Sequence, residues 1–138
     1  MKILVTGAGG FVGRNLVENL KNIKYEKDAT RPGIVIEDIY EYGRADAPED
    51  LERYCADCDF VFNLAGVNRP VNPEEFYAGN RDFVSLLART LEKQKNASPV
   101  MLASSVQACL SGGYAGSEYG RSKLAGEEIL FEHSEKTG

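Results

Sequence analysis

The stretch Lys2-Ile-Leu-Val-Thr-Gly-Ala-Gly-Gly-Phe-Val-Gly-Arg-Asn-Leu16 limits what this chain can fold into more than any other. Ile3, Leu4 and Val5 form a short uninterrupted apolar run, the pattern of a strand buried on both faces of a parallel sheet. Glycines follow at 7, 10 and 13, and Val12, Leu16, Val17, Leu20 and Ile23 then recur at helical spacing. Strand, glycine-rich turn and helix in that order make a phosphate-binding βα unit. Gly7 permits the tight turn, and Gly10 has no Cβ to hold a pyrophosphate off the backbone. Gly13 lets the first helical turn lie close on the sheet, while the helix N-terminus offers unpaired N–H groups and a positive dipole end to an anion.

The dinucleotide fingerprint G-x-G-x-x-G is half met, because Gly7 and Gly9 fit but Val12 stands where the third glycine or alanine belongs. The register Gly7-x-x-Gly10-x-x-Gly13 is complete. No Lys-Ser or Lys-Thr pair follows the glycines, which disfavours a Walker-type ATP site.

A length of 138 residues suits one domain able to bury a core without disulfides. The net charge of −5 argues against a nucleic-acid or anionic-membrane surface. No apolar run reaches transmembrane length, and the first strand begins at once, leaving no room for a signal peptide. Three cysteines, an odd number, suggest reduced thiols in a cytoplasmic chain. Cys55 and Cys58 form a lone C-x-x-C with no second pair and no nearby histidine, so no metal site is expected and the pair is read as coincidence on a helical surface.

Residues 24–33 are polar and end in Pro-Gly, a loop. The second strand is expected within 34–42, and its end should meet the adenosine ribose. There an acidic residue suits NAD and an arginine accommodates the 2′-phosphate of NADP. The segment from Glu41 to Asp46 offers both types, and Arg44 favours NADP, with NAD as the alternative. Proline and acids open a short helix at Pro48, leaving little room for a separate third strand. The run from Asp59 to Gly66 is the clearest strand after the first, and Ala65 and Gly66 at its end would let a cofactor lie against the backbone. A long helix is predicted over 73–95, with Asn80 inside its apolar stripe, either a buried amide bonded to a neighbouring strand or a group near the active site. A further apolar run, Val100 to Ser105, ends in hydroxyls. Residues 110–116 read as a flexible loop and 119–136 as the last helix. His133, the only histidine, sits among Glu132, Ser134 and Glu135 and is read as solvent-exposed, which excludes a histidine-based triad.

Tyr119-Gly-Arg-Ser-Lys123 sets a phenol and an ammonium four residues apart, on one helix face. A free tyrosine titrates near ~10, and a cation held beside it favours the phenolate. Ser105, expected at the C-terminal end of its strand, can hydrogen-bond the substrate oxygen that Tyr119 protonates or deprotonates.

With these residues the sequence resembles the extended short-chain dehydrogenase/reductases, the NAD(P)-dependent nucleotide-sugar epimerases, dehydratases and reductases. The match takes in Thr6 to Gly13, Asn63-Leu-Ala-Gly66, Asn80, Ser104-Ser105 and Tyr119-x-x-x-Lys123. The runs Leu64 to Pro70, Ser104 to Ala108 and Tyr119 to Glu127 look more specifically like the reductase half of bifunctional capsular-polysaccharide enzymes, in which a cupin-like epimerase domain follows. The resemblance implies a Rossmann-like, doubly wound parallel α/β sheet. It implies Ser105, Tyr119 and Lys123 as the catalytic triad, with Ser105 chosen as the second place of its pair. It places Gly7, Gly10, Phe11, Val12, Gly13, Arg44, Leu64, Ala65, Gly66 and Lys123 at the cofactor, Lys123 on the nicotinamide ribose. The implied partners are a nucleotide-sugar and a second copy, in a homodimer through the helices at 73–95 and 119–136.

Two departures qualify the match. Phe83 and Val84 stand where the family's Gly-Thr pair follows the helix asparagine. Family members also continue with further strands and a substrate-binding region that do not follow Gly138. The expectation is therefore the N-terminal part of an NAD(P)-binding domain over residues 1–138, incomplete on its C-terminal side, with an open edge on the last strand. The expected activity of the whole protein is NADPH-dependent reduction of a 4-keto sugar nucleotide, with little or no turnover by this chain alone. The alternatives are an NAD-dependent epimerase or dehydratase and a non-catalytic nucleotide-sensing module.

Overall fold

The computed structural model describes residues 1–109 and 116–138. The loop predicted over 110–116 lies, except for Gly116, outside the described residues. The chain runs β1 (Lys2–Thr6), α1 (Phe11–Lys24), β2 (Asp38–Tyr42), α2 (Pro48–Asp57), β3 (Phe60–Asn63) and α3 (Glu74–Tyr77). A π-turn (Ala78–Asp82), α4 (Phe83–Lys93), β4 (Val100–Leu102), a 3₁₀ turn (Val106–Cys109) and α5 (Glu118–Thr137) complete it.

The four strands form one parallel sheet in the order β2-β1-β3-β4. Side chains of β1 alternate between two covered faces, which is why its sequence is apolar without interruption. Leu4 packs with Leu51 and Cys55 of α2 and with Leu87 and Leu91 of α4. Ile3 and Val5 pack with Val17 and Leu20 of α1 on the other face. This is the doubly wound α/β architecture expected, and β4 is an edge strand among the described residues. The chain steps from β1 to β2 on one side and returns to place β3 on the other. A crevice therefore opens beyond the C-terminal ends of β1 and β3. No helix among the described residues is long and apolar enough to cross a membrane.

The second strand occupies only the last five residues of its predicted window. Residues before it are held by the chain start, Glu37 N–H donating to the Met1 carbonyl at 2.8 Å. No separate strand forms between Arg44 and Pro48. The single helix predicted over 73–95 is instead α3 and α4 joined through the π-turn that carries Asn80.

Two exposure readings are corrected. Cys55 and Cys58 are buried: Cys55 follows Leu51 on the row of α2 that faces the sheet, and Cys58, the residue that ends the helix, joins the same core. Burial pushes their thiols up to about 12 and about 11. Asn96 Nδ2 donates to both of their carbonyls at 2.8 Å. His133 is also buried, seven residues beyond the buried Gly126 on the row of α5 that packs on α4, with Nδ1 3.1 Å from Glu92 Oε1. Polar sequence neighbours concealed this inward row.

Candidate active site

The glycine turn is built by steric need. Gly7 adopts φ +69°, and a Cβ there would lie 2.6 Å from the Ala65 nitrogen. A Cβ on Gly13 would lie 2.2 Å from the Gly7 carbonyl oxygen, so the first turn of α1 rests directly on the loop. Gly10, in extended conformation, precedes α1 and brings no side-chain cap. Among the described residues no side chain caps the first N–H groups of the helix, which suits them to an acceptor from outside the chain. Ala8 N–H donates to the Tyr42 carbonyl at 3.3 Å, tying the turn to the end of β2.

The ends of β1 and β3 are clasped. Thr6 Oγ1 donates to Asn63 Oδ1 at 2.5 Å and accepts from Ala65 N–H at 3.3 Å. Asn63 Nδ2 is buried and has no partner among the described residues. The clasp sets Leu64, Ala65 and Gly66 against the glycine turn, and together they line a cleft of about 910 Å³, a size suited to a cofactor. Gly7, Gly10, Leu64, Ala65 and Gly66 all line it. Phe11 and Val12 stand exposed at the start of α1. Gly13 is buried and serves the packing of helix on turn.

At the end of β2 the two candidate residue types separate. Glu41 pairs with Lys21 of α1 at 3.0 Å, and Asp46 Oδ2 accepts from Gly43 N–H at 2.7 Å. Arg44 is exposed and lines the cleft.

Against Gly66 of the cleft wall lies α5. Lys123 is buried, its Nζ donates to the Ala103 carbonyl at 2.9 Å, and burial pushes its pKa down. A Cβ on Gly66 would come within 3.0 Å of that Nζ, so the ammonium adjoins the cleft wall. The Tyr119 ring lies 5.9 Å from Lys123 Nζ and 5.6 Å from the Phe76 ring. Ser105 differs from expectation: β4 ends at Leu102, so the hydroxyl stands three residues past the strand, where Oγ accepts from Gln107 N–H at 3.2 Å. The backbone of Gln107 abuts Gly120, joining the Ser105 segment to the start of α5. The structure thus brings Lys123 to the glycine-turn edge of the sheet and Tyr119 beside Lys123. Ser105, Tyr119 and Lys123 are not among the residues lining the cleft.

Asn80 serves the same edge. Its side chain accepts from Val67 N–H and donates to the Val67 carbonyl, both at 2.8 Å, and donates to Ser122 Oγ at 3.0 Å. It anchors the loop after β3 to α5, so its partner is a loop rather than a strand. Sequence reasoning assigned no role to Thr6, Asn63, Ser104 or Glu127. The first two carried a signal, since each is a polar residue closing an apolar run. Among the described residues, no group of three or more His, Cys, Asp or Glu is placed to hold a metal ion.

Comparison with known proteins agrees with this geometry. Residues 3–138 match the model of the NAD dependent epimerase/dehydratase family. The UDP-2-acetamido-2,6-β-L-arabino-hexul-4-ose reductase of Pseudomonas aeruginosa is 41% identical over 130 residues, 94% of this chain and 31% of that protein. This chain therefore spans about a third of the length of that curated relative. The capsular polysaccharide assembling protein CapF of Staphylococcus aureus superposes with a TM-score of 0.72 at 34% identity, over 100% of this chain and 33% of that one. The UDP-N-acetylglucosamine 4-epimerase of Bacillus cereus superposes with a TM-score of 0.69 at 26% identity, over 100% of this chain and 50% of that one. A family match that begins inside β1 and runs through α5 covers every element that builds the cleft, and this chain belongs to the NAD dependent epimerase/dehydratase family.

Proposed function

We propose that this chain supplies the cofactor site and the Ser105, Tyr119 and Lys123 triad of an NADPH-dependent reductase acting on a 4-keto nucleotide-sugar in capsular or surface polysaccharide biosynthesis. The observation that carries the reading is the meeting of Lys123 Nζ, Gly66 and the Gly7–Gly13 turn at one sheet edge. The relative at 41% identity is named as the reductase of a hexul-4-ose linked to UDP, and the relative at 34% identity as a capsular polysaccharide assembling protein. Both support the substrate class and the setting.

The residues fit a dinucleotide. Gly7 and Gly66 let the backbone walls of the cleft close up where a Cβ would strike their neighbours, and Gly10 gives the N-terminus of α1 no side-chain cap. Gly7, Gly10, Leu64, Ala65 and Gly66 would hold its backbone side, and Arg44 would take the 2′-phosphate bidentately. When bound, NADPH supplies the hydride that reduces the substrate carbonyl. Tyr119 gives its hydroxyl proton to the carbonyl oxygen, and the buried ammonium of Lys123 steadies the phenolate that remains. Ser105 Oγ already accepts from Gln107 N–H, which leaves its own proton to donate to the same oxygen.

The test is turnover by the complete reading frame that contains these residues. Tyr119→Phe is expected to abolish reduction while NADPH still binds. Full activity in that variant overturns the triad, and absence of any turnover in the wild type favours the nucleotide-sensing module. The Bacillus cereus 4-epimerase, alike over the whole of this chain, favours a second reading, an NAD-dependent epimerase that returns the hydride to its substrate. Tightly retained NAD after purification would select it, and reversibly bound NADP would select the reductase. Exposed Leu86 on α4 with Leu124 and Phe131 on α5 support a homodimer through these helices, which sedimentation checks.

A further inference from the structure

The bond from Ser104 Oγ to Glu127 Oε1 plays no part in the chemistry above, yet it lies beside the residue on which that chemistry depends. The sheet lets go of the chain early: the last ladder contact is Ala103 N–H donating to the Asn63 carbonyl at 3.0 Å. Ser104 and Ser105 therefore leave β4 with no strand to fix them. What holds them is α5. Ala103 accepts from Lys123, and Ser104 donates to Glu127, four residues further along the same helix face. Beyond Ser105, Gln107 Oε1 accepts from Ser117 Oγ at 3.0 Å. Ser105 is bracketed on both sides by residues fastened to the helix that presents Tyr119. A carboxylate acceptor makes the Ser104 bond charge-assisted.

We propose that Glu127, acting through Ser104, is a positioning residue that fixes the Ser105 hydroxyl relative to Tyr119. The inference rests on the reading of Ser105, Tyr119 and Lys123 as the triad. A catalytic hydroxyl displaced by about 1 Å can lose on the order of 100-fold in rate, so a tether of this kind is felt in turnover rather than in cofactor affinity.

The test uses the complete gene product, with Tyr119→Phe as reference. Ser104→Ala and Glu127→Ala are each expected to lower kcat by about 10–100-fold while the Kd for NADPH stays unchanged. The double variant should be no worse than either single one, because the two residues act as one unit. Glu127→Gln should recover most of the kcat, since the amide oxygen still accepts from Ser104. Ser104 is exposed, so its truncation leaves the fold intact and keeps the test decisive even where Glu127→Ala does not fold. A kcat within about threefold of wild type in Ser104→Ala, with Tyr119→Phe inactive, overturns the inference and leaves the triad standing. Full turnover in Tyr119→Phe overturns the triad and the inference with it.

Discussion

Arg44 stands two residues past β2, exposed on the cleft, while the carboxylates on either side of it in sequence are engaged elsewhere. Its replacement by alanine is expected to weaken NADPH by about 1.5–3 kcal/mol, the range for charge-assisted bonds, and to spare NADH. Fluorescence titration of both cofactors checks this, and equal losses would remove the NADP assignment. Gly13 and Gly9 make a second contrast. A Cβ on Gly13 meets backbone that cannot rotate away, whereas one on Gly9 meets nothing within 4 Å among the described residues. Gly13→Ala should therefore cost roughly 1–3 kcal/mol or more in urea unfolding, and Gly9→Ala less than about 0.5. The packing of the glycines and the place of Arg44 at the cleft were readable because their demands are local: a turn, a close approach, a position after a strand. Cys55 and His133 were not, because residues they bond to in the interior lie elsewhere in the chain, Asn96 and Glu92 each 41 positions away.

At the level of elements, the apolar stripe from Phe76 to Leu91 identified the helix but not the π-turn within it. A stripe read at 3.6 residues per turn tolerates one extra residue, so the pattern conceals the bulge. The bulge matters because it carries Asn80, whose amide spans Val67 and Ser122. Asn80→Ala should cost roughly 1–3 kcal/mol for each buried group left without a partner, read as a lower urea midpoint at unchanged slope. Between α4 and α5, the hydrogen bond from His133 holds the Glu92 carboxyl below the usual carboxylate range, with Lys136 adding to it. A carboxyl lowered in the folded state contributes stability above its unfolded pKa and loses it as pH falls through the folded value. Glu92→Gln should therefore melt below wild type near neutral pH. The gap should close as the solution is acidified through and below the ordinary carboxylate range. A constant gap across that range would mean that the carboxylate charge contributes nothing. Strand length was the least legible feature: Val100 to Ser105 looks like one strand, yet pairing stops at Leu102, opposite the end of β3 at Asn63, and Lys123 and Glu127 hold the residues that follow.

Across the whole molecule, the order β2-β1-β3-β4 assembles the cleft from residues that lie between Gly7 and Phe83, while the Tyr119 and Lys123 pair arrives with the last helix. Among the described residues the cleft is lined by positions 7 to 83, and the Thr6–Asn63 clasp that shapes it is fully buried. The 138 residues alone should bind NADPH, with little or no turnover. A ligand that binds only the folded state stabilises it by about 2.7 kcal/mol at a hundred times its Kd. For a domain of this size that amounts to a rise in Tm on the order of 10 °C. Thermal denaturation with and without NADPH measures it directly, and Arg44→Ala should shrink the rise with NADPH while leaving any rise with NADH as it was. An unchanged Tm at millimolar NADPH would mean that the glycine turn, however well its steric demands are met, does not receive a dinucleotide in this chain.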